Sequence, residues 1–266
     1  LRQTDVFWNA ADPGWAYGLY CGILVTLTTG TPAILFEGGF SARATIELIE
    51  KQKVTNFAAA PTVYRSLRAD GIEISNRHKL RCLSSAGEPL TPEINEWAKS
   101  FFGLSVHDHY GQTETSMVIN NHHHPELKTE LRDGSMGKVM PGWSATVLKN
   151  NQDIPEKPGV PGRVAFIIDK SPFSWFRGYI GNPKKSAEKF SKDKKYYLTG
   201  DTGSVDKDGY FYFSTRDDDV IIMAGYRIGP FEVESALSTH NAVAECAVIA
   251  APDKVRGEVI EAFVVL

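Results

Sequence analysis

Near Gly134 the hydrophobic rhythm of this chain changes, and that change limits the folds open to it. From Asp5 to Gly111, apolar helical segments alternate with short strand-like runs, as in Ala44 to Lys51 followed by Asn56-Phe57-Ala58-Ala59-Ala60-Pro61. Such a rhythm predicts βα units around a mostly parallel sheet. After Gly134, short alternating strands are punctuated by Pro141-Gly142, Asn150-Asn151, Pro158-Gly159 and Pro161-Gly162, which predicts a small antiparallel barrel or sheet. Gly162 to Asp169 and Gly209 to Ser214 would be two of its strands. A further change near Asp217 and Asp218 introduces a strand pair (Val220 to Met223, Tyr226 to Ile228), a helix (Phe231 to Thr239) and two more strands. The expected fold class is α/β: a parallel-sheet subdomain over 1–133, an antiparallel β subdomain over 134–217, and a partial α+β domain from 218 to 266.

Composition narrows the function classes. With 266 residues, 42% hydrophobic and 23% charged, the chain can bury an ordinary globular core, and disorder is excluded. A net charge of -3 and a pI near 6.2 give no basic field for nucleic acid, so any anionic ligand must be held by local groups. Cys21, Cys82 and Cys246 are odd in number and far apart, which argues against a disulfide framework or zinc site and for a reducing cytoplasm. Leu19 to Leu27, the most apolar run, is broken by Gly22 and Thr26; it is too short to span a membrane and is expected to be a buried helix. The opening Leu1-Arg2-Gln3-Thr4 is no signal peptide, and the strand-like Phe263 to Leu266 has no turn after it, so both ends are expected to be cut.

Around Asp108 the expectations become chemical. Pro92 to Phe101 reads as a helix with Thr91 as its cap, and Leu104-Ser105-Val106 as the next strand. The segment Asp108-His109-Tyr110-Gly111-Gln112-Thr113-Glu114 then falls just past that strand's carboxyl end, the edge where ligands bind in open parallel sheets. Thr113 offers a hydroxyl to a phosphate oxygen and Glu114 a hard carboxylate to magnesium; standing alone, the segment would read as a capped helix start. Gly87-Glu88-Pro89 is a turn whose missing side chain lets a flat ring approach, or simply a loop. Asp201, after Thr199-Gly200, is a single carboxylate able to accept from two vicinal hydroxyls, and Arg216 carries a forked donor set. Asp206-Lys207-Asp208-Gly209 reads as a hairpin turn, because a calcium loop there would have Ser204 as first ligand and Thr215 as twelfth. His122-His123-His124 invites a metal reading, but successive residues do not converge on one ion.

Taken in order, Ala86-Gly87-Glu88-Pro89, Tyr110-Gly111-Gln112-Thr113-Glu114, Tyr197-Leu198-Thr199-Gly200-Asp201 and Ala224-Gly225-Tyr226-Arg227 closely resemble the adenylate-forming enzymes, and among them the medium-chain acyl-CoA synthetases. The resemblance implies that residues 1–217 are the C-terminal part of a large AMP-binding domain and that 218–266 begin a small mobile one. It implies nucleotide binding by Gly87, Glu88, Pro89, Asp108, His109, Tyr110, Gln112, Thr113, Asp201 and Arg216. Thr113 and Glu114 would be catalytic, with magnesium on Glu114, and Asp218 would be the hinge. Ala224, Gly225, Arg227 and Arg256 would meet coenzyme A, and Trp15, Ala16, Tyr17, Ala86 and Gly111 would line the acyl pocket. Acetate-specific relatives carry a tryptophan at the position of Gly111, so glycine there would admit a longer chain.

The implied substrates and cofactors are ATP, Mg2+, coenzyme A and a small carboxylic acid, with no nucleic acid partner, no membrane span and a homodimer among the open oligomeric states. The phosphate-cradling loop and the adenylating lysine of that family are expected outside these residues, so this stretch alone should be inactive. Three alternatives stay open: an acetyl- or aryl-CoA ligase, an adenylation domain serving a carrier protein, and a non-catalytic AMP-binding module.

Overall fold

A computed structural model of the chain describes residues 1–75, 78–216, 219–223, 226–240, 242–253 and 256–266, with the backbone but not the side chains of 226 and 227. Asp218, Ala224 and Gly225, expected at the hinge and the coenzyme A loop, lie outside the described residues, as does the side chain of Arg227. The chain forms two compact units, residues 1–137 and 138–266. The boundary expected near Asp218 falls inside the second.

In the first unit, β1 (Phe7–Asn9) leads to a π-helical stretch, Gly18–Leu24, continued by α1 (Val25–Thr29), then β2 (Ala33–Ile34), α2 (Ala42–Lys51), β3 (Asn56–Ala59), α3 (Pro61–Asp70), β4 (Cys82–Ala86) and α4 (Pro92–Phe102). β5 (Val106–Gln112), β6 (Ser116–Asn120) and β7 (Ser135–Val139) follow. The strand order is β2-β1-β3-β4-β5-β6-β7; pairing is parallel from β2 to β5 and turns antiparallel at β5–β6. The helices form where apolar residues recur at helical spacing. α2 buries Ala42, Thr45, Ile46 and Ile49 behind the Ser41 cap, and α4 buries Ile94, Ala98 and Phe102. With Phe57, Leu83 and Val106 from the strands they make the main core, the covered face that a parallel sheet requires.

The second unit holds two antiparallel sheets. One comprises β8 (Ala145–Leu148), β9 (Gly162–Ile167), β10 (Tyr196–Val205) and β11 (Phe211–Arg216) in the order β11-β10-β9-β8, with α5 (Pro183–Glu188) between β9 and β10 in the chain. The other comprises β12 (Ile221–Met223), β13 (Tyr226–Ile228), β14 (Glu245–Asp253) and β15 (Gly257–Val265) in the order β13-β12-β15-β14, with α6 (Pro230–Ser238) packed on β14. Asp206 makes the expected turn between β10 and β11: its carboxylate accepts from the Asp208 and Tyr210 amides at 2.8 and 2.9 Å.

Three expectations need correction. Leu19 to Leu27 is helical but not buried: Gly18, Gly22 and Thr26 face inward, while Leu24 and Leu27 are 47% and 74% exposed. Small residues at four-residue spacing form the packed stripe, and the large apolar ones lie on the other side. Thr91 stands at the N-cap of α4, yet its side chain makes no cap bond. The strand assigned to Leu104 to Val106 runs on to Gln112, so Asp108 and Tyr110 lie within it. Antiparallel pairing with β6 extends it, something no local apolar pattern announces.

That pairing places Ser116 O only 1.9 Å from where a Cβ on Gly111 would stand. Gly103, by contrast, caps α4 at φ 68° in open space. Gly111→Ala should therefore cost more than about 3 kcal/mol, by forcing the two strands apart. Gly103→Ala should cost only about 1 kcal/mol, from the left-handed backbone alone. Urea unfolding of both variants checks the difference.

Candidate nucleotide site

The β5–β6 hairpin carries most of the residues singled out from the sequence. Its turn is closed by the Gln112 amide donating to Thr115 Oγ1 at 3.2 Å and the Thr115 amide donating to Gln112 O at 3.1 Å. Tyr20, from the π-helical stretch, donates its hydroxyl to Thr113 O at 3.1 Å and so fixes the tip from the side. Thr113 is exposed and Glu114 half-buried, so the tip offers a hydroxyl and a carboxylate together. The turn is a hairpin and not a helix start.

Inside the strand, alternation separates two environments. Asp108 is 8% exposed and accepts from Ser85 Oγ at 3.3 Å, and burial pushes its carboxyl up to about 8. On the other side stand His107 and His109. His107 Nδ1 donates to Asn121 O at 2.8 Å, its ring stacks on His123 at 3.8 Å, and His123 Nε2 meets Ser84 Oγ at 3.0 Å. Burial and neighbouring imidazoles lower His109 to about 3 and His123 to about 2, so both rings are neutral near pH 7. His123 is a packing residue of the sheet, and among the described residues no three His, Cys, Asp or Glu side chains gather as a metal cage.

Gly87, Glu88 and Pro89 follow β4, the parallel neighbour of β5. Gly87 has φ 94°, and the Trp15 ring lies against it, 2.5 Å from the place of a Cβ; only glycine allows that contact. Glu88 accepts from Thr62 Oγ1 at 2.6 Å and from Arg65 at 2.6 Å. Of the expected acyl-pocket residues, Tyr17 and Ala86 share a buried cluster with Ala58, and Trp15 meets the Tyr17 ring edge-on at 5.5 Å. Ala16, between them in sequence, is half-buried. The Tyr17 hydroxyl is buried with no hydrogen-bond partner among the described residues. At Gly111 the room left by the missing side chain is taken by Ser116 O. The strand pairing thus gives this glycine a reason independent of any pocket floor.

In the second unit, Asp201 on β10 stands opposite Arg216 on β11 and is 6% exposed. Its amide donates to Thr199 Oγ1 at 3.0 Å, and Thr199 Oγ1 donates to Val164 O at 2.8 Å, which fixes the backbone around the carboxylate. Lys189 donates to Thr199 O at 2.9 Å. The Arg216 side chain is 61% exposed, 4.0 Å from Asp219. Arg256 is exposed, its amide donating to Asp253 at 2.7 Å. Sequence reasoning missed Tyr20, Thr62, Arg65 and Ser85. Thr62 and Arg65, three apart just inside a Pro-started helix, carried a readable signal of a shared face; the other contacts exist only after folding.

The raised pKa of Asp108 has a defined sign. A carboxyl whose folded pKa lies above its unfolded value loses stability as pH rises from about 4 through about 8, because the folded chain holds the proton that the unfolded one releases. Asp108→Asn removes that loss and keeps an acceptor for Ser85. Its urea midpoint should gain on the wild type between pH 5 and pH 8, and a constant difference would contradict the assignment.

Comparison with known proteins agrees with this arrangement. The family profile described as AMP-binding enzyme matches residues 1–180, and that of the AMP-binding enzyme C-terminal domain matches residues 232–266. Acyl-coenzyme A synthetase ACSM3, mitochondrial, of Rattus norvegicus is 40% identical over 268 residues, covering 100% of this chain and 45% of the relative. A Brucella canis acyl-CoA synthetase structure is 48% identical with TM-score 0.76, covering 99% of this chain and 48% of that one. ATP-bound MatB from Rhodopseudomonas palustris is 28% identical with TM-score 0.86, covering 98% and 50%. The chain spans about half the length of the relatives it matches. With the Gly87 turn and the Asp108 hairpin at neighbouring strand ends, and with the family profile matching two thirds of its residues, the chain belongs to the AMP-binding enzymes.

Proposed function

We propose that the protein of which this chain is part is an ATP-dependent acyl-CoA synthetase. It activates a medium-chain carboxylic acid as an acyl-adenylate and passes the acyl group to coenzyme A, releasing AMP and pyrophosphate. The observation that carries the reading is the pair of neighbouring strand ends, β4 with its Gly87-Glu88-Pro89 turn and β5 with the Asp108 to Glu114 hairpin. The family match and the named acyl-CoA synthetases at 40% and 48% identity support it.

In the first half-reaction the acid's carboxylate oxygen attacks the α-phosphorus of ATP and pyrophosphate leaves. Gly87 and Tyr110 bracket the adenine, Asp108 reads its edge, and Asp201 accepts from the ribose hydroxyls. Thr113 donates its hydroxyl to the α-phosphate, a bond worth most when charge builds there in the transition state. One half-buried carboxylate, Glu114, beside an exposed hydroxyl is the donor set that suits magnesium, which takes few protein ligands and keeps its waters and substrate phosphates. Bound there, magnesium would offset negative charge on the leaving pyrophosphate. In the second half-reaction the coenzyme A thiol attacks the acyl carbonyl and AMP leaves. Ala224, Gly225 and Arg227 are proposed for the pantetheine path, Arg256 for the phosphates, and Asp218 for the rotation between half-reactions.

A polypeptide of the relatives' length carrying this chain, given ATP, magnesium, coenzyme A and saturated acids of graded length, should release AMP and thioester in equal amounts, best with mid-length acids. AMP formation indifferent to coenzyme A would redirect the reading to a carrier-protein acceptor, and no AMP with any acid would refute it. Arg256→Glu should raise KM for coenzyme A about tenfold and leave KM for ATP unchanged. An equal rise in both would remove Arg256 from the coenzyme A site.

A further inference from the structure

We propose that Arg65 is a positioning residue for the nucleotide, acting through Glu88: it holds the Gly87-Glu88-Pro89 turn in place and cancels a carboxylate charge beside the path of a polyanionic ligand. The proposal rests on the nucleotide reading above and assigns to that site a residue that no sequence motif marked. α3 starts directly after β3, with Pro61 at its first position, so its opening turn lies beside the end of β4. It holds β4 at one point and the turn after it at another. The Tyr64 hydroxyl donates to Ser84 O at 2.9 Å, just before the turn. Within the turn, Thr62 Oγ1 lies 2.6 and 2.7 Å from the two Glu88 oxygens. One Arg65 nitrogen reaches Glu88 Oε2 at 2.6 Å and Thr62 Oγ1 at 2.7 Å. The three side chains close a ring in which both oxygens of Glu88 are engaged.

Fold stability is a poor explanation for this ring. The Arg65 and Glu88 side chains are 28% and 39% exposed, and ion pairs in that range contribute little to folding. Their position gives a better one. Glu88 is the residue after Gly87, where the missing side chain lets a flat ring, here that of Trp15, lie against the backbone; on the nucleotide reading the adenine takes that place. An unpaired carboxylate there would oppose every phosphate that a nucleotide brings in, whereas an arginine locked to it removes the opposition and fixes the backbone. Arginine suits both tasks, since its planar group can meet the carboxylate and the threonine oxygen at once.

Charge cancellation and simple bracing predict different double variants. In a polypeptide of the relatives' length carrying this chain, Arg65→Met should raise KM for ATP about tenfold, equivalent to about 1.4 kcal/mol of binding. kcat, KM for the acid and the unfolding midpoint should stay near wild type, and Arg65→Lys should recover part of the loss. Adding Glu88→Gln to Arg65→Met should bring KM for ATP back toward wild type, because glutamine still accepts from Thr62 but carries no charge. A double variant as impaired as Arg65→Met would overturn the proposal, as it would mean that the charge of Glu88 is not what the arginine offsets. A joint fall in kcat, both KM effects and thermal stability would overturn it in favour of a folding brace. Failure of the functional reading would show separately, as a wild-type protein that forms AMP with no acid, and this role would go with it.

Discussion

The arrangement turns on one close backbone contact, the approach of Ser116 O to Gly111 where β6 folds back on β5. Parallel pairing carries the sheet from β2 to β5, and a further parallel strand would need a crossover helix. The chain instead reverses within four residues. Strand β5 is thereby extended to Gln112, and Thr113 and Glu114 are held at a hairpin tip tied down by Tyr20. A side chain at 111 would separate the strands and release the tip. The groups proposed to meet phosphate and metal are therefore set by the sheet itself.

Electrostatics in the first unit follow from burial on either side of the same strand. Asp108 is deep enough to hold its proton up to about 8. His109 and His123, close to each other and to His107, stay neutral well below the usual imidazole range. A protonated carboxyl and neutral rings leave the body of the strand uncharged. Beside this strand and the Gly87 turn, half-open charged groups are Glu114 and the Glu88–Arg65 pair. That division leaves Glu88 paired with Arg65 near the proposed anionic ligand and Glu114 for the proposed metal.

Where periodicity and turn chemistry are local, the fold was readable before it was seen. Ala42, Thr45, Ile46 and Ile49 mark one face of α2, Pro92 opens α4, and Asp206 to Gly209 make a hairpin turn because the aspartate caps its own backbone. The site motifs were readable too, as strings whose order resembles one family. Two kinds of information were not. β5 is written His-Asp-His-Tyr, without the apolar alternation that announces a strand, so its true length depends on its antiparallel partner β6. In the π-helical stretch and α1 the inward face is glycine and threonine, so hydrophobicity pointed to the wrong side. The Thr62–Arg65–Glu88 ring joins residues more than twenty apart, and its meaning rests on a backbone course that spacing alone does not reveal.

The central claim is that the Gly87 turn and the Asp108 hairpin form a nucleotide site, and bound ligand tests it most directly. A crystal structure of a polypeptide of the relatives' length carrying this chain, with a non-hydrolysable acyl-adenylate analogue, should place the adenine ring against Gly87 and Tyr110. Its amino edge should lie at Asp108, and the phosphate mimic within hydrogen-bond reach of Thr113. An analogue bound elsewhere, with Trp15 still seated on Gly87 and the hairpin tip untouched, would contradict the account.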